Sequence, residues 1–281
     1  MYNAAVKTGG HYTLKIVHDE DAVNPREGYD NFGHMACWHS RYNLGDKHDY
    51  INPDGFLKDL VRQTVPNKDL IAFVKDGKAD GLTLEYDRSS REWELKSYDN
   101  NIKKWYAEWS APPPLDDKGY DLADSIRDCL SDRDLMSLAE RNHLIMPLYL
   151  LDHSGITIST SDFRDRWDSG QVGWTYASHA EVAKEYGDAS PENIERARRL
   201  LNSEVETYDC YIRGECYGFQ LLRDGVEEDS CWGFLGSFDE AKKAIREYIP
   251  EDAAALADDA EYGDSDPEYD PEDDMEQGDG G

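Results

Sequence analysis

The stretch I-A-F-V-K-D-G-K-A-D-G-L-T-L-E-Y-D-R-S-S-R-E-W-E-L-K-S-Y-D-N-N-I-K-K-W-Y-A-E-W, residues 71–109, decides the fold class. Residues 71–75, 82–86, 93–95 and 105–109 are rich in β-branched and aromatic side chains, which pack well on a pleated, half-buried surface. Asp76-Gly77 and Asp80-Gly81 supply residues suited to tight reversals between them. The segment therefore reads as an antiparallel meander. Helical patterns lie on both sides of it, so the expected class is α+β, with antiparallel sheet and hairpins joined to several helices.

Beyond the meander, the Pro112-Pro113-Pro114 run ends extended structure, and residues 122–144 repeat apolar side chains every three and four positions, as a helix does. Before it, Asn52, Pro53 and Asp54 precede Phe56, Leu57, Leu60 and Val61, which predicts a short capped helix. Residues 24–50, with Pro25, Gly28, Gly33 and Gly45, read mostly as ordered loop. Tyr12, Leu14 and Ile16 alternate with Thr13, Lys15 and Val17 in a first strand.

Towards the C-terminus, residues 147–158 read as a strand broken by the turn Asp152-His153-Ser154-Gly155. Ser178 and Glu181 form a capping box before Val182, Ala183 and Tyr186. Ser190 and Pro191 open a helix towards Tyr211 that Gly214 closes, and Ser237 with Glu240 opens a last helix to Tyr248. Asp224-Gly225 joins residues 216–222 and 230–235 as a hairpin. No repeat and no linker interrupts the body. The expected organisation is one globular α+β domain over residues 1–249 and a disordered acidic tail over 250–281, a tail the fold could lose with little change in melting temperature.

The 281 residues carry 60 acids against 30 bases, a net charge of −30. Residues 251–281 hold 14 of those acids and no Lys or Arg, which leaves 46 acids against 30 bases and a net of −16 for the rest. Such a surface repels phosphate backbones and anionic lipid, which argues against direct binding of nucleic acid or membrane. Basic protein surfaces are its natural complement, so the expected partner is a basic host protein, one that itself binds nucleic acid being a good fit. Residues 1–10 contain no apolar run of the kind a secretory signal needs, and no ~20-residue apolar stretch occurs, so a cytoplasmic setting is expected. Cys37, Cys129, Cys210, Cys216 and Cys231 are odd in number, scattered and without a C-x-x-C pair, which suggests neither a disulfide framework nor a thiolate zinc site.

Three stretches carry a resemblance: D-N-F-G-H-M-A-C-W-H-S-R-Y-N-L-G-D-K-H at 30–48; L-Y-L-L-D-H-S-G-I-T-I-S-T at 148–160 with W-D-S-G-Q-V-G-W-T-Y at 167–176; and S-C-W-G-F-L-G at 230–236. With them the chain resembles a family of uncharacterised proteins encoded by bacteriophages and other bacterial mobile elements. The resemblance spans roughly 23–236 and implies a setting, a phage or prophage gene expressed in the cytoplasm of a bacterial host, rather than a reaction. Members of that family often place a Cys shortly before the W-D-S-G-Q segment. This chain has Phe163-Arg164-Asp165-Arg166 there, which weakens any shared thiol or metal role at that point.

Two clusters could carry chemistry. In Cys37-Trp38-His39, a strand would place the thiol and the imidazole on one face, where His39 could draw the proton from Cys37. His34 and His48 add donors enough for a zinc site, although the spacing matches no standard one. The plain alternative is a loop packed by its own aromatics. In the second cluster Asp152 could orient His153 as a general base, while Gly155 and Gly170 admit a ligand close to the backbone; adjacency of Asp152, His153 and Ser154 does not make a triad, because neighbouring side chains diverge. The plain alternative is two turns whose Asp and Ser side chains bond local backbone. Glu204, Glu206 and Asp209, and Glu227, Glu228 and Asp229, could be cation ligands but read more simply as a solvated acidic face. No G-x-x-x-x-G-K-[ST], G-x-G-x-x-G or H-E-x-x-H occurs, so no cofactor is implied.

Three functional readings follow. The first is an acidic interaction protein that engages a basic host surface, with imitation of nucleic-acid charge against a defence nuclease as one form. The second is an enzyme using Cys37 and His39, or His153, in a pocket lined by Trp38, Trp167 and Trp174. The third is acidity as a solubility adaptation with no charge-dependent partner, which would show as acids spread evenly over the molecule.

Overall fold

The structure is a computed structural model that describes residues 3–115 and 120–263. In chain order its elements are β1 (Asn3–Gly9), β2 (Tyr12–His18), α1 (Pro25–Gly28), β3 (His34–Cys37), α2 (Pro53–Thr64), α3 (Asn67–Lys75), β4 (Leu82–Asp87), β5 (Glu92–Asp99), β6 (Lys104–Ala111), α4 (Tyr120–Cys129) and α5 (Asp132–Ala139). There follow β7 (His143–Asp152), β8 (Ile156–Ser159), β9 (Ser169–Ser178), α6 (His179–Tyr186), α7 (Pro191–Ile212), β10 (Cys216–Arg223), β11 (Val226–Leu235), α8 (Phe238–Tyr248) and α9 (Ala254–Asp258). The α+β class is as expected, and the strand pairs β1–β2, β2–β10, β10–β11, β3–β9, β4–β5, β5–β6 and β7–β8 are antiparallel.

Where one body was expected over residues 1–249, the chain gathers into two compact units. The first comprises Met1–Asn31, Leu148–Gln171 and Leu200–Gly281, and the second Phe32–Pro147 and Val172–Arg199. The first unit holds an antiparallel sheet in the order β1-β2-β10-β11. Its inward face presents Leu14, Ile16, Phe219 and Leu221, all essentially inaccessible, to Ala241 and Ile245 of α8 and to Leu256 and Ala257 of α9. The hairpin β7–β8 belongs to the same unit from residue 148 onward, with Tyr149 opposite Ser159 and Asp152 opposite Ile156. Asp209 of α7 anchors it, accepting hydrogen bonds from Ile158 N at 2.7 Å and Thr157 Oγ1 at 3.1 Å.

The helix α9 changes the expected tail boundary. Ala253, Leu256, Ala257 and Ala260 are buried in the first unit's core, Lys242 Nζ donates to Ala260 O at 3.1 Å, and Gly263 N donates to Ala4 O at 2.7 Å. Residues 250–263 are thus part of the fold, because A-A-A-L-A supplies an apolar helical face that composition counted by charge conceals. Residues 264–281, the rest of the predicted tail, lie outside the described residues.

In the second unit the meander β4-β5-β6 has the expected antiparallel order. Residues 71–75 do not join it: they form the second half of α3, whose Leu70, Ile71, Phe73 and Val74 are all buried. Their β-branched character is overridden by burial on a helix face, a tertiary effect that outweighs weak intrinsic propensity. The single helix expected over 122–144 is broken, since Ser131 caps a new helix by accepting from Asp134 N, and the chain enters β7 at His143. Residues 24–50 hold α1 and β3 as well as loop.

Phe56 of α2 is fully buried at the centre of this unit. Its ring stacks on Trp174 with centroids 5.6 Å apart and meets Trp38, Tyr50 and Tyr176. Around it close Leu60, Leu70, Leu82, Leu95, Ile126 and Leu135, drawn from four helices and two strands.

Candidate functional site

Strand β3 pairs with β9 so that Met35 faces Thr175, Ala36 faces Trp174 and Cys37 faces Gly173. A Cβ at Gly173 would collide with the carbonyl oxygen of Ala36, so only glycine admits this approach. Residues 34–37 and 173–176 come from two of the three stretches singled out in the sequence, and here they serve packing. The third shows the same economy, with Trp232 of β11 lying over Gly218 of β10 where any Cβ would strike its ring.

Cys37 and His39 do not share a strand face. β3 ends at Cys37, which is buried, and the alternation that would align the two side chains stops there. His39 lies in the turn beyond: its Nδ1 accepts from the backbone N–H of Arg41 and of Tyr42, each at 3.3 Å, and its ring stacks on Tyr42 at 5.0 Å. Nδ1 is thereby occupied as an acceptor. His48 points its Nε2 at the Cys37 carbonyl oxygen, 3.0 Å away, and packs against Trp38, while its Nδ1 is buried without a hydrogen-bond partner. Among the described residues no group of three or more His, Cys, Asp and Glu side chains is placed to hold a metal ion, so His34, Cys37, His39 and His48 do not gather into a zinc site.

His34 instead reaches Glu181 across 147 positions of sequence, with Nε2 2.8 Å from Oε1. Burial pushes the Glu181 carboxyl up, but hydrogen bonds from His34 and from the Ser178 hydroxyl and backbone outweigh it and hold the group below its ordinary value. Beside this pair runs a cleft of about 420 Å³ lined by His34, Asp46, His48, Asp49, Tyr50 and Tyr176, among others. Tyr50 donates to Asp59 Oδ2 at 3.2 Å, and burial, then Asp59, raises its phenol. No pattern in the sequence announces the His34–Glu181 pair, since Glu181 reads there only as the second half of a capping box.

The first unit contains the other cluster. His153 Nδ1 lies 2.7 Å from Asp168 Oδ2, so the carboxylate that orients it is Asp168, fifteen residues on. Asp152 takes part through its backbone, whose N–H donates to Asp168 O at 2.8 Å. Asp165 caps the same turn by accepting from Trp167 N and Asp168 N, and those backbone donors lower its pKa. His153 is 70% exposed and Trp167 94% exposed, which makes this an open surface feature rather than a pocket. Trp38 and Trp174 meet edge to face at 5.9 Å in the second unit, whereas Trp167 belongs to the first.

The acidity is unequally divided. The first unit holds 34 of the 60 acids and 10 of the 30 bases, net −24, and the second 26 acids and 20 bases, net −6. Counting the first unit only through Gly263 still leaves 25 acids against 10 bases. On β11, Glu227, Glu228 and Asp229 follow one another in exposed positions. Glu204 and Asp209, by contrast, are structural: Glu204 lies 3.4 Å from the buried Arg26, and Asp209 holds β8.

An α+β chain of two units with one strongly acidic half is what these observations define. No family model, no curated protein and no solved structure matches it. Among the described residues no helix is long and apolar enough to cross a membrane.

Proposed function

We propose that the protein is an accessory factor of a phage or mobile element that binds a basic host protein through the surface of its first unit, competing there with nucleic acid. The observation that carries this reading is the partition of charge, −24 against −6. A pure solubility adaptation would spread acids over both units alike. A one-sided charge creates a directional field that accelerates encounter with a basic partner and sets its orientation.

The test is recovery of partners from bacterial lysate on a chain ending at Gly263, which keeps α9 and omits the polyanionic stretch 264–281. Binding should weaken steeply with salt, because such attraction is screened over ~8 Å at physiological ionic strength. Duplex DNA should compete. Reversing Glu227, Glu228 and Asp229 to Lys should abolish capture, and reversing the exposed Glu85, Glu140 and Glu185 of the second unit should not. Equal loss from both sets would mean that acidity acts without direction, and the reading would fail.

A further inference from the structure

The cleft beside the His34–Glu181 pair, about 420 Å³ in volume, is lined by residues of the second unit. His34 and Tyr176 stand opposite each other in the β3–β9 ladder, so both side chains project from one face of the sheet, with ring centroids 5.2 Å apart. Glu181 is held fast: its Oε2 accepts from the Ser178 N–H and hydroxyl, each at 2.7 Å, and its Oε1 faces His34 Nε2. An ionised carboxylate only accepts, so the His34 proton sits on Nε2 and Nδ1 keeps its lone pair. Among the described residues nothing donates to that Nδ1.

His48 repeats the pattern. Its Nε2 donates to the Cys37 carbonyl at 3.0 Å, which leaves Nδ1 as an acceptor, and that atom is buried without a donor. A buried acceptor left unpaired costs about 1–3 kcal/mol, a cost removed by a ligand that brings an N–H. Asp49 lines the same cleft, is exposed, and makes no hydrogen bond or ion pair among the described residues. Asp46 lines it as well, its Oδ2 accepting from Met35 N at 2.8 Å. With Glu181 behind His34, these carboxylates outnumber Lys47, the one Lys or Arg among the lining residues. The Tyr176 phenol is held above its ordinary value by burial first, and then by Tyr50, Asp46, Glu181 and Asp59, so the cleft wall lies in a negative field.

We propose that this cleft binds a guanidinium ion carried on a short alkyl stem. The groups left to satisfy are acceptors: the Asp49 carboxylate, His34 Nδ1 and His48 Nδ1. A guanidinium offers five N–H donors in one plane and no acceptor, and its flat face suits the aromatic walls that Tyr50 and Tyr176 supply. An ammonium directs three donors from a single, strongly hydrated point and meets fewer of these groups. An anionic ligand would set like charges together. The site is independent of the acidic surface of the first unit, so either proposal can fail without the other.

Isothermal titration calorimetry of the full chain at low salt tests this with n-butylguanidinium, n-butylammonium and butyrate. The guanidinium should bind saturably at one site, the ammonium about tenfold more weakly or worse, and butyrate not at all. Asp49→Asn should weaken guanidinium binding about tenfold, and His34→Phe should do the same. Glu85→Gln, which removes an exposed acid of the same unit outside the cleft, should leave it unchanged. Asp49 is exposed and unpaired, so its variant should keep the wild-type circular dichroism even if His34→Phe disturbs Glu181. The peptide acetyl-Ala-Arg-Ala-amide separates two sources of the ion. Affinity equal to that of n-butylguanidinium assigns the cleft to an arginine side chain of another protein, and exclusion of the peptide while the free ion binds assigns it to a small molecule. Heats that do not saturate, equal affinity for ammonium and guanidinium, or equal loss from Asp49→Asn and Glu85→Gln would each overturn the proposal.

Discussion

Gly9 and Leu256 meet so closely that a Cβ on Gly9 would stand 2.8 Å from Leu256 Cδ2. The end of the described chain is thus fitted onto the first strand rather than trailing from it. Removing residues 250–281 should strip Ala253, Leu256, Ala257 and Ala260 from the core and cost about 3 kcal/mol or more. Ending the chain after Gly263 retains those contacts and should melt close to the full protein. Leu256→Ala in the full chain should cost about 2 kcal/mol, the lower end for a core leucine, since it sits at the rim. Urea unfolding of the three chains separates these outcomes, and an unaltered midpoint on truncation at Ile249 would refute the docking.

Phe56→Ala should be the most damaging single core truncation in the second unit. Phe56 has no exposed surface and touches four other aromatic rings, so the cavity left behind has stiff walls that collapse poorly. A loss of about 3–5 kcal/mol is expected, read from denaturant midpoints. Because Trp38 and Trp174 flank the vacated space, their fluorescence should change as well. A loss below about 1 kcal/mol would mean the aromatic cluster is not the centre of the core.

Much of this fold was legible because local chemistry and final structure agree. Asn52 caps α2 by accepting from Gly55 N at 2.8 Å, Ser178 and Glu181 close their capping box, and Asp224-Gly225 turns β10 into β11 with both residues at positive φ. The errors arise where distant contacts decide. Residues 71–75 look like a strand until the core that buries α3 exists, and the short apolar run at 253–257 is hidden among carboxylates. The candidate sites were less legible still. His153 finds Asp168 rather than its neighbour because the turn at residues 152–155, with Ser154 and Gly155 at positive φ, is laid against the turn around Asp165. His34 and Glu181 are joined only by the pairing of β3 with β9.

Acid should destabilise the second unit in two steps. Burial lowers the pKa of His143, whose Nδ1–H donates to Ala139 O at 3.1 Å, so the unfolded chain takes up a proton there before the folded one does. The burial charges facing it are His179, which lowers it further, and Glu181, which opposes. A depressed imidazole contributes stability above the unfolded value and loses it as pH falls from there through the folded value, which places the first step below about 6.5. Glu181 is also depressed, so its contribution is complete above the ordinary glutamate range and is lost as pH falls through its lower folded value. His143→Asn keeps a donor near the Nδ1 position and removes the titration. It should flatten the stability profile between about pH 7 and 5 while leaving the lower step, and an unchanged slope in that window would count against the assignment.

Four of the five thiols, those of Cys37, Cys129, Cys210 and Cys216, should be unreactive in the folded protein. Burial, reinforced by nearby carboxylates, pushes Cys129, Cys210 and Cys216 up to about 11. For Cys129 those carboxylates are Glu108 and Asp128, for Cys210 they are Glu215 and Asp209, and for Cys216 it is Asp19, whose Oδ2 lies 3.8 Å from the sulfur. At pH 8 a thiol of that strength is thiolate in only about one molecule in a thousand, against a sizeable fraction for an unfolded cysteine, so alkylation should run on the order of a hundredfold slower than in denaturant. Cys37 is only 8% exposed, and the imidazole two residues away is turned to the backbone of Arg41 and Tyr42, so it should label as slowly as the other three. Peptide mapping by mass spectrometry after timed alkylation, with and without urea, resolves each position separately. Rapid labelling confined to Cys37 in the folded protein would restore the nucleophile reading, because selective reactivity requires an exposed thiolate that this geometry does not provide.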